Sequence, residues 1–312
     1  MHAGIVHEVN GTPRWEEFPE PKGSTAEPLI EVSTAAIGPS ELMRVSNWGA
    51  SYYGPFKGPK VMGGEGIGRL EDGTRIYFGH STAPYGAVAH RTIVAHEEIW
   101  PIPDALTDDQ ILPLAITGTG ALIPMEEARI QRGERVLILG ATGPLGQIAL
   151  QLARIMGAGE VVAAARREES LRRVVERGFA DRFIRLGEGR DEAVLKDGSN
   201  GGFHFVLDCV YGDTMVAALK ATARGGRVLS ISNVGGRIAS VDLRDLIFRT
   251  HSGVATGIRP AAERRAAFER LLGYAMDGSL KPVDTVGYRF AEIAQAWAVQ
   301  SNGPNAKILL RP

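Results

Sequence analysis

The sequence predicts an α/β protein in which a doubly wound parallel sheet is inserted into a β-rich domain. Three observations lead to this prediction. The first third of the chain consists of short β-like runs broken by Gly and Pro, the middle alternates strands with helices, and a short β-like segment returns at the end. We expect the β-rich domain to comprise residues 1–112 and 265–312, and the inserted α/β domain to comprise residues 113–264.

The first region shows the alternation of apolar and polar residues that is typical of half-buried strands. "LIEVSTAAIG" alternates from Leu29, and "GIGRLEDGTRIYFG" predicts two strands around a turn at Asp72 and Gly73. "AVAHRTIVAHEEIWPIP" is a further β-rich stretch that ends at two prolines. These runs predict a twisted, mostly antiparallel sheet or barrel.

In the middle of the chain, predicted strands alternate with predicted helices. A helix N-cap is predicted at Thr107. The units that follow are strand "RVLILG", helix "PLGQIALQLARIMG", strand "EVVAAA", helix "EESLRRVVERG", strands "RFIRL" and "FHFVLDCV", helix "DTMVAALKATARGG" and strand "RVLSIS". Helix "AAERRAAFERLLGYAMDG", β-like "DTVGYRF", a helix from near Ala291 and strand "KILLR" complete the chain.

Composition excludes several classes of function. The 312 residues carry a net charge of −1, so there is no basic field that would attract nucleic acid. Cys209 is the only cysteine, which excludes an intramolecular disulfide and a cysteine-based zinc site. There is no run of eighteen apolar residues and no signal-peptide pattern at the N-terminus. We expect a cytoplasmic protein without nucleic-acid or membrane partners.

A glycine-rich loop joins a buried strand to a helix near the middle of the chain. In "GATGPLG", glycines recur every third residue, and a proline stands where the first turn of the helix begins. Such a loop lets a pyrophosphate approach backbone N–H groups at a helix N-terminus, as in the Rossmann dinucleotide-binding unit. The predicted cofactor-binding residues of the loop are Gly140, Ala141, Thr142, Gly143, Pro144, Leu145 and Gly146.

The end of the next strand indicates which dinucleotide binds. NAD-binding folds usually carry an acidic residue there for the ribose hydroxyls, whereas this strand ends with Ala165 followed by Arg166 and Arg167. Guanidinium groups can hold a 2′-phosphate in bidentate fashion. The pattern favours NADPH over NADH. The alternative is that the two arginines only cap a strand end on a solvated face and bind no cofactor.

At this point the sequence resembles the medium-chain dehydrogenase/reductase superfamily, in its zinc-free quinone oxidoreductase branch. The resemblance runs in order over nearly the whole chain, through "AAIGPSEL", "PKVMGGEGIG", "ILPLAITGTGAL", the glycine loop with its helix, "FVLDCVYG", "GGRVLSIS" and "NAKILLRP". It implies that a Rossmann domain is inserted into a GroES-like catalytic domain. It also implies a homodimer formed through cofactor-domain edge strands.

The departures from the family pattern concern metal. Gly38 stands where zinc-dependent relatives have a cysteine ligand, or many quinone reductases an asparagine, and Gly64 stands where the zinc-binding histidine would be. Glycine has no ligand atom, and the four-cysteine structural lobe is missing, so we expect no metal. His80, His90 and His96 lie at irregular spacings without an Asp, Glu or Cys cluster and indicate no metal site.

The remaining predicted site residues come from the resemblance and from strand ends. By resemblance, Thr117 lies near the nicotinamide, and Tyr52 and Tyr53 lie in the segment where several relatives have a substrate-facing tyrosine. Two aromatics that pack a Gly/Pro loop are the alternative for the tyrosines. The further residues that follow late strands of the cofactor domain, where ligands collect, are Cys209, Ile231, Asn233 and Thr256. For Cys209 the alternative is a small buried hydrophobe.

The function predicted is NADPH-dependent hydride transfer to a small-molecule acceptor: a quinone, an enone or a carbonyl. A double-bond reductase that acts on an enone or enoyl thioester is the second prediction, and an NADPH-binding sensor or structural protein is the third. Tyr53 and Lys57 also match the Tyr-x-x-x-Lys spacing of short-chain reductases, but Gly54 and Pro55 disfavour the helix that such a pair requires.

Overall fold

The computed structural model describes all 312 residues. The chain divides into two compact units, a β-rich unit (Met1–Ile116 with Pro282–Pro312) and an α/β unit (Thr117–Lys281). The mixed α/β class expected from the sequence is confirmed. Our predicted second boundary at residue 264 falls inside a helix of the α/β unit, which continues to Lys281.

The strands are numbered along the chain: β1 (His2–Val6), β2 (Arg14–Glu17), β3 (Leu29–Ile37), β4 (Lys60–Val61), β5 (Glu65–Arg69), β6 (Arg75–Gly79), β7 (Arg91–Ile93), β8 (Ile99–Pro101), β9 (Arg135–Leu139), β10 (Glu160–Ala165), β11 (Arg182–Arg185), β12 (Phe203–Asp208), β13 (Thr222–Ser230), β14 (Thr250–Gly253), β15 (Thr285–Arg289) and β16 (Lys307–Arg311).

The α-helices are α1 (Pro39–Arg44), α2 (Ala50–Tyr53), α3 (Asp108–Ile111), α4 (Ile116–Ala128), α5 (Pro144–Ile155), α6 (Glu168–Glu176), α7 (Asp191–Asp197), α8 (Gly212–Lys220), α9 (Leu243–Leu246), α10 (Ala261–Met276) and α11 (Ile293–Ser301). Four single 3₁₀ turns occur at His96–Glu98, Leu112–Leu114, Thr256–Ile258 and Phe290–Glu292. None of the helices has the length and apolar character needed to cross a membrane.

The α/β unit is built on a six-stranded parallel sheet. Its strand order is β11-β10-β9-β12-β13-β14, which is the 3-2-1-4-5-6 order of a Rossmann sheet. Leu139, the last residue of β9, pairs with Ala164 of β10 on one side and with Asp208 of β12 on the other. The carboxyl ends of these three central strands are therefore level, at the point where the strand order reverses and ligands bind in such folds.

The β-rich unit is held together by a strand from each end of the chain. In its seven-stranded sheet, β16 lies between β15, which is parallel to it, and β3, which is antiparallel. Ile308 of β16 pairs with Ile37 of β3, and both side chains are buried in one core with Phe78 and Trp297. Since β3 precedes the α/β unit and β16 follows it, the α/β unit is an insertion between two paired strands.

Most predicted elements are present, with one instructive difference. The predicted hairpin is formed by β5 and β6, with Gly73 in the left-handed region (φ 84°). The helix predicted to run through "ATARGG" ends at Lys220, and β13 already begins at Thr222. Ala, Lys and Arg favour helix locally, but pairing with β12 overrides this preference, through a register irregularity between Phe203 and Phe205.

Candidate functional site

The glycine loop follows β9 and turns tightly into α5. Gly140 has a φ of 74°, and its N–H and that of Ala141 donate to the carbonyl oxygen of Ala164 at 2.9 and 3.2 Å. A Cβ atom at Gly146 would lie 2.4 Å from the Gly140 carbonyl oxygen and 2.6 Å from the Cα of Ala141. The helix can therefore approach the loop this closely only because residue 146 is glycine.

The N-terminus of α5 is open toward an anion. Gly143 is the N-cap residue, no side chain caps the helix, Pro144 occupies the first turn, and that turn contains no acidic residue. The buried Gln147 side chain donates to the Thr142 carbonyl oxygen at 2.9 Å and thereby fixes the loop. A helix N-terminus of this kind offers N–H groups and a positive dipole end, so the cradle fits the pyrophosphate of a dinucleotide.

Beyond the end of β10 the surface is rich in guanidinium groups. Ala165 is 8% exposed, and Arg166 and Arg167 are exposed, the latter as the N-cap of α6. The first acidic residue of α6, Glu168, pairs with Arg172 at 2.5 Å and with Arg185 at 3.8 Å. Because that carboxylate is already neutralised, this end of the sheet presents net positive charge.

A hydrogen-bonded chain that the sequence did not indicate joins the next three strands, with two buried members and one half-buried member. It consists of Asp208 at the end of β12, Ser230 at the end of β13 and His251 on β14. Ser230 Oγ donates to Asp208 Oδ2 at 2.6 Å and lies 2.9 Å from His251 Nε2. A serine hydroxyl has one proton, so Nε2 must be the donor in the second bond.

The same carboxylate holds the loop after β12. Asp208 Oδ1 accepts from the N–H groups of Val210 (2.8 Å) and Tyr211 (2.9 Å). Tyr211 has φ 66° and ψ −168°, a conformation that is strained for any residue except glycine, and its ring stacks on His251. Burial raises the pKa of Asp208, although its hydrogen bonds have the opposite, smaller effect. Burial lowers the pKa of His251, although the negative charge of Asp208 has the opposite, smaller effect.

Cys209 lies directly beside the glycine loop. Its N–H donates to the Leu139 carbonyl oxygen at 3.3 Å, and its Cβ lies 3.3 Å from where a Cβ of Gly140 would be. Burial, with a smaller contribution from Asp208, raises the pKa of the Cys209 thiol. The thiol is therefore protonated at neutral pH and unsuited to act as a nucleophile.

The other predicted cofactor residues occur along the same unit. Ile231 and Asn233 follow β13, and the Ile231 N–H donates to the Asp208 carbonyl oxygen at 3.0 Å. Thr256 begins the turn after β14, and its Oγ1 lies 3.8 Å from where a Cβ of Gly120 on α4 would be. Thr117 lies on the first turn of α4, so the start of this helix and the end of β14 are neighbours.

The two predicted tyrosines belong to the β-rich unit and differ in their surroundings. Tyr52 is 62% exposed and packs edge-on against Trp48. The Arg44 guanidinium lies 4.3 Å above the ring of Tyr53, whose pKa is raised by burial against the opposing charge of Arg44. Helix α2 ends at Tyr53, so this tyrosine and Lys57 do not share a helix face.

The positions where the family resemblance implies zinc ligands do not suit a metal ion. A Cβ at Gly38 would lie 3.7 Å from the Lys307 ammonium, and a Cβ at Gly64 would lie 2.8 Å from Glu41 Oε1. Lys307 is paired with Glu65 at 2.6 Å, and both are buried. No group of three or more His, Cys, Asp or Glu residues is placed to hold a metal. A cation would meet an ammonium group and find no ligand atom at either glycine.

Comparison with known proteins agrees with the geometry. Residues 144–272 match the model of the family described as "Zinc-binding dehydrogenase". The chain is 28% identical to a quinone oxidoreductase-like protein 2 from Mus musculus (82% of this chain, 74% of that protein) and 25% identical to an acryloyl-coenzyme A reductase from Sulfurisphaera tokodaii (95% and 96%). The structure of an Escherichia coli quinone oxidoreductase complexed with NADPH superposes with a TM-score of 0.87 at 20% identity over 100% of both chains, which shows the shared fold.

Proposed function

Because the chain belongs to the medium-chain dehydrogenase/reductase superfamily, in its quinone oxidoreductase-like branch, we propose that this oxidoreductase uses NADPH and no zinc to reduce a quinone-type acceptor. The observation that carries the proposal is the open N-terminus of α5 next to Arg166 and Arg167. The α5 N–H groups would bind the pyrophosphate, and the arginines would hold the 2′-phosphate in place of the ribose-binding acid.

When bound, NADPH supplies a hydride from its nicotinamide ring. The chain's own residues position and polarise the reactants. We assign Thr117 to orienting the nicotinamide and Tyr53 to donating a hydrogen bond or proton to the acceptor oxygen. The Tyr53 phenol is protonated at neutral pH, as an ordinary tyrosine is, and burial raises its pKa further. Arg44 lies over its ring, and Tyr52 is more exposed, at 62% against 42%. Quinone reduction places the smallest demand on this group, since protons can also come from solvent.

A double-bond reductase is the second candidate function. It is supported by the similarity to an acryloyl-coenzyme A reductase over 95% of this chain and 96% of that protein. In this reaction the hydride adds to the β-carbon of a conjugated carbonyl compound, and a proton is then required at the α-carbon. Tyr53 would have a necessary role in this case, so its removal would reduce the rate more strongly than in quinone reduction.

We further propose a homodimer that forms through the open edge of the parallel sheet. Strand β14 is the last strand of that sheet and has a partner, β13, on one side only. Large apolar side chains are exposed in the segments around it: Ile238, Leu243, Ile247, Phe248 and Ile258. A second copy pairing along this edge would satisfy its backbone groups and cover the apolar surface. Light scattering of the purified protein should give twice the mass of one chain.

An acceptor panel monitored by NADPH absorbance tests the proposed function. Quinones, enones, an enoyl thioester and simple carbonyl compounds are each offered with NADPH and, in parallel, with NADH. We expect one acceptor class to be reduced fastest, with NADPH strongly preferred. Fast turnover of the enoyl thioester would support the second candidate. Tight NADPH binding without turnover on any acceptor would contradict both and leave the protein as an NADPH-binding sensor or structural protein.

A further inference from the structure

The β-rich unit contains a small polar pocket, and one of its lining residues, Arg44, also lies over the ring of Tyr53. The volume of the pocket is about 40 Å³, enough for a few water molecules or one carboxylate group. Apolar residues and two glycines form part of the wall. The polar and charged residues that line it are Glu41, Arg44, Lys60, His80, Ser81 and Tyr85. We call it the Arg44 pocket.

Two buried polar atoms that belong to lining residues have no hydrogen-bond partner. They are Nε of Arg44 and Oγ of Ser81. Glu41 Oε1 lies 3.4 Å from Arg44 Nε and forms an ion pair with it, but the pair lacks hydrogen-bond geometry. The other oxygen of this carboxylate, Oε2, accepts from the Gly63 N–H at 3.0 Å. Buried polar groups in native proteins are nearly always satisfied, so two such atoms on residues that line one pocket point to an acceptor that binds there.

The charge of the pocket indicates an anion. Arg44 and Lys60 bring two positive charges, and Glu41 supplies one negative charge. The pKa of Lys60 is lowered by burial and by the nearby Arg44, with Glu41 opposing. The two cations therefore repel each other, and a second negative charge would relieve that repulsion. The third basic side chain, His80, is already paired with Glu98 at 3.1 Å.

Gly64 leaves the space for this arrangement. A Cβ there would lie 2.8 Å from Glu41 Oε1 and 3.9 Å from an Nη atom of Arg44. In zinc-dependent relatives, by the resemblance above, this position carries a histidine, which would meet the Glu41 carboxylate. The glycine that removes a metal ligand therefore also leaves room for the buried Glu41 carboxylate.

We propose that the Arg44 pocket binds a carboxylate, with Arg44 Nε and Ser81 Oγ as donors and Lys60 as the second cation. The carboxylate belongs to the acceptor itself, so that the enzyme prefers acidic acceptors over neutral ones; this part rests on the proposed reductase function. A free small organic acid would present the same chemistry as a ligand separate from the acceptor, and the two sources are distinguished by the experiments below.

The first experiment measures binding without turnover. The melting temperature of the wild-type protein is recorded against formate and acetate, with chloride at equal ionic strength as the reference. We expect the carboxylates to raise it and the Ser81→Ala variant to lose most of this rise. Because Ser81 Oγ is unsatisfied in the free protein, Ser81→Ala alone should leave the melting temperature unchanged or raised. A lower melting temperature for Ser81→Ala, together with no effect of carboxylates, would show a pocket filled by water and overturn the proposal.

The second experiment compares a conjugated keto acid with its methyl ester as acceptors. We expect kcat/KM for the acid to exceed that for the ester at least tenfold in the wild type, and the ratio to approach one in Arg44→Met and in Lys60→Met. Arg91→Met, an exposed arginine of the same unit, is the control and should keep the wild-type ratio. Equal rates for acid and ester would overturn assignment of the carboxylate to the acceptor, and if formate still binds, the ligand is a free acid.

Failure of the proposed function gives a different result. If no acceptor consumes NADPH while formate raises the melting temperature in the wild type and not in Ser81→Ala, the carboxylate site stands and the reductase proposal falls. If acceptors are reduced while neither formate nor the acid group has any effect, the reductase proposal stands and the carboxylate site falls. Arg44→Met is judged by its acid-to-ester ratio because Arg44 also contacts Tyr53, and Lys60→Met provides the independent variant.

Discussion

Glycines occur at the candidate sites of both units, but they have opposite effects on the space around them. At Gly146 in the α/β unit a Cβ would overlap the Gly140 carbonyl oxygen, so glycine lets two backbone segments approach. At Gly38 in the β-rich unit the nearest atom to a Cβ would be the Lys307 ammonium at 3.7 Å, so a side chain could be accommodated. Glycine at this position therefore provides space but no atom that could bind a metal or donate a hydrogen bond. The first site therefore offers backbone N–H groups, and the second is built from buried charged side chains.

The strongest test of this difference is to break the buried ion pair of the β-rich unit. Lys307→Met leaves the Glu65 carboxylate buried without its cation, although Tyr77 still donates to it at 3.1 Å. We expect the free energy of unfolding to fall by about 3–5 kcal/mol, measured by urea denaturation. The double variant Glu65→Gln/Lys307→Met buries no unpaired charge and should recover part of the loss. An unchanged stability of Lys307→Met would mean that the β-rich unit does not depend on this pair.

The corresponding test in the α/β unit changes a glycine. In Gly146→Ala the methyl group would overlap backbone atoms of the loop. We expect the free energy of unfolding to fall by about 1–3 kcal/mol. NADPH affinity, measured by nucleotide fluorescence, should fall at least tenfold. Gly273→Ala makes the same change inside α10, where a Cβ would meet nothing within 4 Å, and should be stabilising. If both variants behaved alike, the close approach at Gly146 would not matter.

A smaller effect is expected from the arginines after β10, since they are exposed and, as proposed, would contact only one phosphate. Arg166→Ala and Arg167→Ala should each weaken NADPH binding by about tenfold, equivalent to ~1.4 kcal/mol, and leave NADH binding nearly unchanged. Titration with both nucleotides measures the change in preference. Arg173→Ala, an exposed arginine on α6, is the control and should not alter it. Equal losses for NADPH and NADH would contradict the assignment of these arginines to the 2′-phosphate.

The smallest effect that we expect is on the pH dependence of the free energy of unfolding. Burial lowers the pKa of His251 in the folded protein below its unfolded value, so the neutral form is favoured by folding. Its contribution to stability is present above the unfolded pKa and is lost as pH falls through the folded pKa. We expect the free energy of unfolding of the wild type to decrease between about pH 7 and pH 5. The decrease should be smaller in His251→Gln. An identical pH dependence in the two proteins would rule out His251 as the titrating group.

The strand, loop and helix geometry of the α/β unit could be predicted from the sequence because its parts are close in the chain. Strand β9, the glycine loop, helix α5, strand β10 and Arg166 follow each other along the chain, so local patterns specify the loop and the basic residues near it. The chain of Asp208, Ser230 and His251 could not be predicted in this way, because it depends on the register of three neighbouring parallel strands. Its only sequence signal is that a polar residue occurs at the end of two apolar strands.

The buried charged groups of the β-rich unit were harder to predict, also because they depend on contacts between distant parts of the chain. Lys307 and Glu65 lie 242 positions apart, and nothing local indicates that a lysine in a terminal strand neutralises a glutamate near the start of the chain. The sequence identified Gly38 and Gly64 as missing metal ligands. It did not indicate that Glu41 and Arg44 occupy the neighbouring space, because that depends on how α1 packs over the loop before β5.

The pairing of β3 with β16 also affects the order in which the chain can fold during synthesis. All of the α/β unit leaves the ribosome after β3 and before β16. The α/β unit can therefore fold before β16 is available to pair with β3. Until β16 emerges, an edge of β3 is exposed together with apolar residues such as Ile37. During synthesis the β-rich unit therefore exposes an unpaired strand edge for as long as the whole α/β unit takes to emerge.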